Sequence, residues 1–311
     1  MSYETTYALY WIPLLPLLGA AFNLVLGRKL SRGTVHVVAC GTVGAACITS
    51  LWVTFYQLYP LWKAAHAAHA DAIPRVTNVV FQWITAGDVN INLGFLVDPL
   101  SAVMIITVTF VGFLIHVYST GYMAHDRDYA RFFGYLNLFT GAMLILVMGD
   151  SLVVLFVGWE GVGLCSYLLI GFWYNKDGVE KAGDANATAG RKAFIVNRIG
   201  DFAFVVGMFV LFYFTGTLKF TELADKTDAL VQTWNPVGEG TFLNFVFPGI
   251  GSIVAGKGVG LVMLVLALLG ALVAGAAKGM LRLAGVALLV GMWIWSILSG
   301  FGLQHDGAVT I

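Results

Sequence analysis

Charge is the scarcest property of this chain. Of its 311 residues only 11% are Asp, Glu, Lys or Arg, against roughly 25% in water-soluble domains. So few polar side chains cannot cover the surface of a soluble fold of this length. Neither sign is in excess: 17 basic residues balance 17 acidic ones, which excludes the basic footprint of a nucleic-acid binder. Cysteine is rare too, at three residues (Cys40, Cys47 and Cys165), each inside an apolar stretch and none in a CxxC spacing. That removes the thiolate signatures of zinc and iron–sulfur sites, and the three read as small buried hydrophobes.

What is present is apolar. Hydrophobic residues make up 59% of the chain, with 22 Phe, 12 Tyr and 9 Trp. Helices satisfy their own backbone groups in lipid, so the composition predicts an all-α polytopic membrane protein. Crossing the hydrocarbon takes about 20 apolar residues. Six stretches qualify, at residues 7–27, 34–59, 99–120, 132–148, 152–174 and 194–216. The first follows MSYETTY, which carries Glu4 and no basic residue. A secretory leader opens on positive charge, so this stretch reads as an anchor helix.

Between the second and third spans, VVFQWITAGDVNINLGFLVDP holds two extended runs around Gly87-Asp88. They predict a small surface β-hairpin. Upstream, AAHAAHA places His66 and His69 one helical turn apart, but without a nearby carboxylate or thiol the pair is read as surface helix rather than metal site.

Beyond residue 218 the character changes. Residues 219–241 form a polar linker containing NPVGEG, and residues 242–311 form a two-helix membrane tail with apolar runs at 259–277 and 283–301. The piece before them, FLNFVFPGIGSIVAGKG, is too short to span and contains a Pro-Gly break. The sum is about eight transmembrane helices. Loops after spans one, three and five carry Arg28, Lys29, Arg32, Arg127, Arg131, Lys176, Lys181, Arg191 and Lys192, against Lys63, Arg75, Lys219 and Lys226 on the other side. By the positive-inside rule both termini lie outside the cytoplasm.

A charge at mid-bilayer costs about 2.5–3.5 kcal/mol on insertion scales and marks a pathway or a partner. Glu160, in LFVGWEGVGL, lies near the middle of the fifth span. Two readings stand: an acid that carries a proton, or one that stays protonated and bonds a neighbouring helix. Gly158, Gly161 and Gly163 would let such a helix come close. The sixth span supplies Asn197, Arg198 and Asp201. Arg198 and Asp201 are at i,i+3 and can pair, either as self-neutralising structure or as a switch that alters the field on a proton site. His116, near the end of the third span, has the intrinsic chemistry of proton transfer and equally suits packing. Asp98 fits a helix cap or a functional acid. Lys257 reads as interfacial, and Tyr7, Tyr10, Trp11, Tyr59, Trp62, Trp173 and Tyr174 as interface belts.

Three strings carry a family resemblance: FLVDPLSAVMIITVTFVGFLIHVYSTGYM, FFGYLNLFTGAMLILVMGDSLVVLFVGWEGVGLCSYLLIGFW and ATAGRKAFIVNRIGDF. They resemble the L-type (chain 5) subunits of proton-pumping NADH:quinone oxidoreductase, respiratory complex I. The likeness covers residues 10–220, and related cation/proton antiporter subunits share its GWE segment. It implies that Glu160 is the acid of proton translocation and that Asp201, beside Arg198, tunes the pathway. His116 falls in the HVYS segment. It also implies other complex I membrane subunits as partners, a bacterial-type inner membrane, and no cofactor on this chain. NADH, quinone, FMN and iron–sulfur clusters are expected only in partner subunits.

The departure is equally definite. The family's next span holds a lysine in a GKSAQ-type segment, and no GKSAQ occurs here. The expectation is therefore an apparently truncated L-type subunit with no motif of the family after residue 218. The alternatives are a cation/proton antiporter subunit, or a non-transporting relic or assembly protein.

Overall fold

Two residues with hydroxyl or carboxylate side chains show how the helices begin. Asp98 caps a helix over Pro99–Tyr122, its Oδ1 accepting from the Ser101 backbone N–H at 2.7 Å. Ser151 caps Leu152–Ile170 in the same way through the Val154 N–H at 3.4 Å. Each satisfies a backbone donor that the first turn of a helix leaves unpaired. Asp98 thus serves as the cap.

The computed structural model describes residues 3–68, 73–86, 89–175 and 180–226. All of them fall within one compact unit, Met1–Thr227. The expected tail over residues 242–311, His69, Gly87, Asp88 and most of the polar linker lie outside the described residues.

The helices are α1 (Trp11–Val25), α2 (Arg32–Trp52), α3 (Tyr59–Ala67), α4 (Pro99–Tyr122), α5 (Tyr129–Met148), α6 (Leu152–Ile170), α7 (Glu180–Thr215) and the short α8 (Phe220–Asp225). A π-helical segment, Val53–Leu58, joins α2 to α3, so that 36 residues from Arg32 to Ala67 run as one helix. Five described helices are long and apolar enough to cross a membrane: Arg32–Ala67, α4, α5, α6 and Gly183–Thr215. The protein is a membrane protein. α1, apolar but only 15 residues long, would reach about 22 Å at 1.5 Å per residue.

Two helices outrun the apolar stretches that mark them. α7 begins at Glu180, well before the apolar run, and the second helix continues past Tyr59 to Ala67. Hydropathy locates the length that lies in lipid, whereas helix propensity and capping set where the helix stops.

α5 is the centre of the bundle. It packs on α1, α2 and α4 on one side and on α6 on the other, and α7 follows outside α6. Glycine makes the α5–α6 approach possible: a Cβ on Gly158 would strike the Leu146 backbone, and one on Gly161 would sit 2.9 Å from Ala142 Cβ. Gly163 faces open space, so the helix admitted by this glycine pattern is α5.

A three-stranded sheet of order β1-β2-β3 closes one end. β1 (Tyr3–Thr5) pairs parallel with β2 (Arg75–Ala86), which pairs antiparallel with β3 (Val89–Val97) from Val76↔Val97 to Ala86↔Val89. Thr6 anchors the N-terminal strand, accepting from Asn78 Nδ2 at its carbonyl (2.8 Å) and from Gln57 Nε2 at its hydroxyl (3.0 Å). Beneath the sheet lies a fully buried apolar cluster that includes Leu9, Ile12, Val53, Val76, Val97, Ile105 and Met148. At the opposite end Tyr129, Phe133 and Phe172 form a second cluster, and Arg32 bonds the Ala124 and Asp126 carbonyls.

Candidate functional site

Charged side chains meet in the middle of the α6–α7 interface. Glu160 is the ninth of the 19 residues of α6. Arg198 and Asp201 are a turn apart on α7. The structure brings all three together: Arg198 Nη1 pairs with Glu160 Oε2 and lies 3.4 Å from Asp201 Oδ2. One guanidinium therefore serves two carboxylates, leaving the trio with one net negative charge when both are ionised.

The trio is graded in burial. The Asp201 side chain is 10% exposed, Glu160 26% and Arg198 38%. Asp201 is the most tightly held, because Trp159 Nε1 also donates to its Oδ1 at 2.8 Å. Aromatic rings support both sides. Trp159 and Phe156 stack on Phe204, at 6.1 and 5.7 Å between centroids. Arg198 lies 4.4 Å over the Phe194 ring, a contact whose electrostatic attraction grows when water is excluded.

Trp159 was not among the residues that the sequence singled out. A signal for it exists: an indole N–H far from either end of a span needs a buried acceptor, and i−1 to a mid-span acid is a conspicuous place. Asn197, by contrast, is exposed and stands outside the trio.

His116 lies elsewhere. It sits on α4, fully buried against Phe133, with α5 between it and α6. Its Nδ1 is 2.7 Å from the Gly112 carbonyl. A carbonyl only accepts, so Nδ1 carries the proton and Nε2 is left as the free nitrogen.

A second polar cleft, of about 230 Å³, opens outside the spans at the sheet end, lined by Asn92, Ser151, Thr217, Lys219 and Glu222 among others. Lys219 pairs with Glu222 at 3.2 Å, and Thr217 Oγ1 donates to the same carboxylate. The Thr217 bond, with Lys219 in support, holds Glu222 below the usual carboxylate range. Beside the cleft, burial pushes the Asp150 carboxyl up, partly offset by Ser151 and Lys219. Among the described residues no three His, Cys, Asp or Glu side chains group closely enough to hold a metal ion. His66 stacks on Trp62.

Two known protein families match parts of this chain. Residues 83–133 match the N-terminus of chain 5 of NADH-ubiquinone oxidoreductase (complex I). Residues 149–292 match the transmembrane region of NADH:quinone oxidoreductase/Mrp antiporter proteins. The two matched segments thus carry a complex I chain 5 N-terminus and an antiporter-like transmembrane domain. The second match contains Glu160, Arg198 and Asp201, and it runs past residue 218, where the sequence motifs stop.

Relatives include subunit L and chain 5 proteins. The chain is 44% identical over 216 residues to NADH-quinone oxidoreductase subunit L of Mycobacterium tuberculosis, covering 69% of this chain and 31% of that one. It is 37% identical over 239 residues to NAD(P)H-quinone oxidoreductase chain 5 of Synechocystis sp., covering 74% and 32%. The chain thus spans about a third of the length of the curated relatives it matches. Among solved structures, the Mrp complex from Dietzia sp. superposes with a TM-score of 0.52 at 20% identity, over 91% of this chain and 33% of that chain. An archaeal membrane-bound sulfane sulfur reductase gives 0.55 at 17%, over 92% and 63%. These two show a shared membrane-subunit fold.

Proposed function

We propose that the chain acts as an L-type, proton-translocating membrane subunit of an NADH:quinone oxidoreductase. The observation that carries this reading is the mid-membrane contest of Glu160 and Asp201 for a single guanidinium. With one cation between two carboxylates, charge balance inside lipid calls for one more positive charge. A proton can supply it. While Arg198 holds Glu160, that carboxylate is neutralised without a proton. When Arg198 turns to Asp201, a proton on Glu160 takes the guanidinium's place. Glu160 is the acid that loads and unloads, Arg198 the moving counter-charge, and Asp201, fixed by Trp159, its alternative seat. His116, on the far side of α5, is a candidate relay station.

On this reading NADH, quinone, FMN and iron–sulfur clusters belong to partner subunits, and this chain contributes only the membrane path. Its partners are other membrane subunits and the lipid bilayer of a bacterial-type inner membrane. The excess of basic residues in the loops at the Arg32–Asp126 end supports a cytoplasmic location for that end, with the N-terminus outside. The reading counts the two apolar sequence runs at residues 259–277 and 283–301 as the seventh and eighth spans.

The test is Glu160→Gln in the assembled complex. Proton pumping should fall roughly tenfold or more, a barrier change of at least ~1.4 kcal/mol, while NADH oxidation to artificial acceptors persists. Unchanged pumping, with incorporation of the variant verified, would overturn the assignment. A second reading, cation/proton exchange, is favoured by the Mrp antiporter match over residues 149–292. Sodium-driven proton exchange in vesicles without NADH, abolished by the same substitution, would select it.

A further inference from the structure

Asp201 has a donor on each side. Arg198 of its own helix approaches Oδ2, and Trp159 of α6 donates across the interface to Oδ1 at 2.8 Å. The two contacts are unequal. The indole bond has the length of a full hydrogen bond. Arg198 Nη1 stands 3.4 Å from Oδ2, beyond the roughly 2.7–2.9 Å of a charge-assisted bond. The same Nη1 pairs with Glu160 Oε2.

Nothing in the spacing along α7 requires this looseness. Arg198 and Asp201 are i,i+3 neighbours, and a guanidinium readily takes a carboxylate through two parallel N–H bonds. The tie on Oδ1 prevents that. It fixes the rotation of the Asp201 carboxylate and keeps one of its two oxygens for α6.

The tie is itself rigid. Phe156 and Trp159, one turn apart on α6, both stack on Phe204, one turn beyond Asp201 on α7, with interplanar angles of 8° and 7°. The three rings form one layer across the interface and set the plane in which the indole N–H points. Lipid offers that N–H no other acceptor. The Arg198 side chain is steadied in turn by the Phe194 ring, 4.4 Å beneath it.

We infer that Trp159 is a positioning residue that sets how the Arg198 guanidinium divides between Glu160 and Asp201. By occupying Oδ1 and drawing off part of its charge, the indole weakens Asp201 as a partner. Arg198 is left committed to Glu160, across the helix interface. Without the N–H, Asp201 turns both oxygens to Arg198 and the guanidinium settles within α7. What this division means for transport rests on the proton-translocating reading above, but the division itself does not.

The test is rotational-echo double-resonance solid-state NMR of the full chain in lipid bilayers, with ¹⁵N-arginine and ¹³C-carboxyl aspartate and glutamate. The three signals are assigned through Arg198→Lys, Glu160→Gln and Asp201→Asn. In the unaltered chain the Arg198 nitrogens should couple chiefly to Glu160 Cδ. Trp159→Phe keeps a ring over Phe204 and removes the donor, and the ratio of Glu160 to Asp201 coupling should fall severalfold. Benzothienylalanine at position 159, tryptophan with sulfur in place of the N–H, keeps the full shape and should give the same fall even where the phenylalanine variant folds poorly. An unchanged ratio, or two contacts weakened alike, would give Trp159 a packing role only and overturn the inference. The readout needs no pumping, so this result and that of Glu160→Gln in the assembled complex can fail separately.

Discussion

Asp150 shows how strongly one side chain can depend on its surroundings. It lies in the turn between α5 and α6, outside the spans, with Oδ1 buried and unpaired, and burial raises its proton affinity. A carboxyl raised in the folded state favours folding while it is protonated, and that contribution is lost as the pH climbs through the folded value. Asp150→Asn keeps the shape and removes the charge. The variant should match the unaltered protein in acid and melt a few degrees higher at neutral pH, as read by thermal unfolding in detergent. An equal or lower Tm at neutral pH would contradict the account. Glu222, held low by Thr217, works in the opposite direction: its contribution is present above the unfolded value and lost as pH falls through the folded one. Being half exposed at its side chain, it contributes little.

At the level of elements, the α5–α6 contact is the one with least slack. Gly158→Val should destabilise the protein by roughly 1–3 kcal/mol, the usual cost of overpacking, because the Leu146 backbone cannot yield as a side chain would. Gly163→Val, facing open space, should be close to neutral. Comparing the two by thermal unfolding separates close packing from a general intolerance of valine in α6. Similar losses for both would contradict the assignment of Gly158 to the contact. Some of this was legible in the sequence: the glycines flanking Glu160 announce a close neighbour, and Arg198 and Asp201 declare their pairing through i,i+3 spacing. The identity of the neighbour was not, because nothing local distinguishes α5 from any other apolar helix. Nor was the Glu160–Arg198 pair, whose partners are 38 positions apart and meet only through the α6–α7 packing. β1 escaped notice because a strand of three residues (Tyr3–Thr5) carries no periodicity.

At the largest scale, the hydrogen bonds among the described residues divide their loops into two sets. The N-terminal strand, the sheet, the α5–α6 turn and the end of α7 meet at one end, where Ser151 bridges to Lys219 and Gly149 to Phe95. At the other, Arg32 reaches the turn after α4, and Trp173 Nε1 donates to Asp126 Oδ2 at 2.9 Å. Counting spans predicts this division from sequence, since each crossing reverses the side. Which end faces the cytoplasm is then a matter of charge. Single cysteines at Asn90 and Arg127, probed in intact cells with a membrane-impermeant maleimide, should label at position 90 and not at 127. The reverse pattern would invert the orientation.

Arg198 has two partners, and they belong to different structural categories. Its contact with Asp201 stays inside α7, whereas its contact with Glu160 ties α7 to α6. A guanidinium that changes partner therefore does more than relocate charge. It makes or breaks an electrostatic latch between two helices, while Trp159 and the rings around Phe204 keep them in register. Each proton taken up by Glu160 would register as a change in helix–helix adhesion, a mechanical quantity.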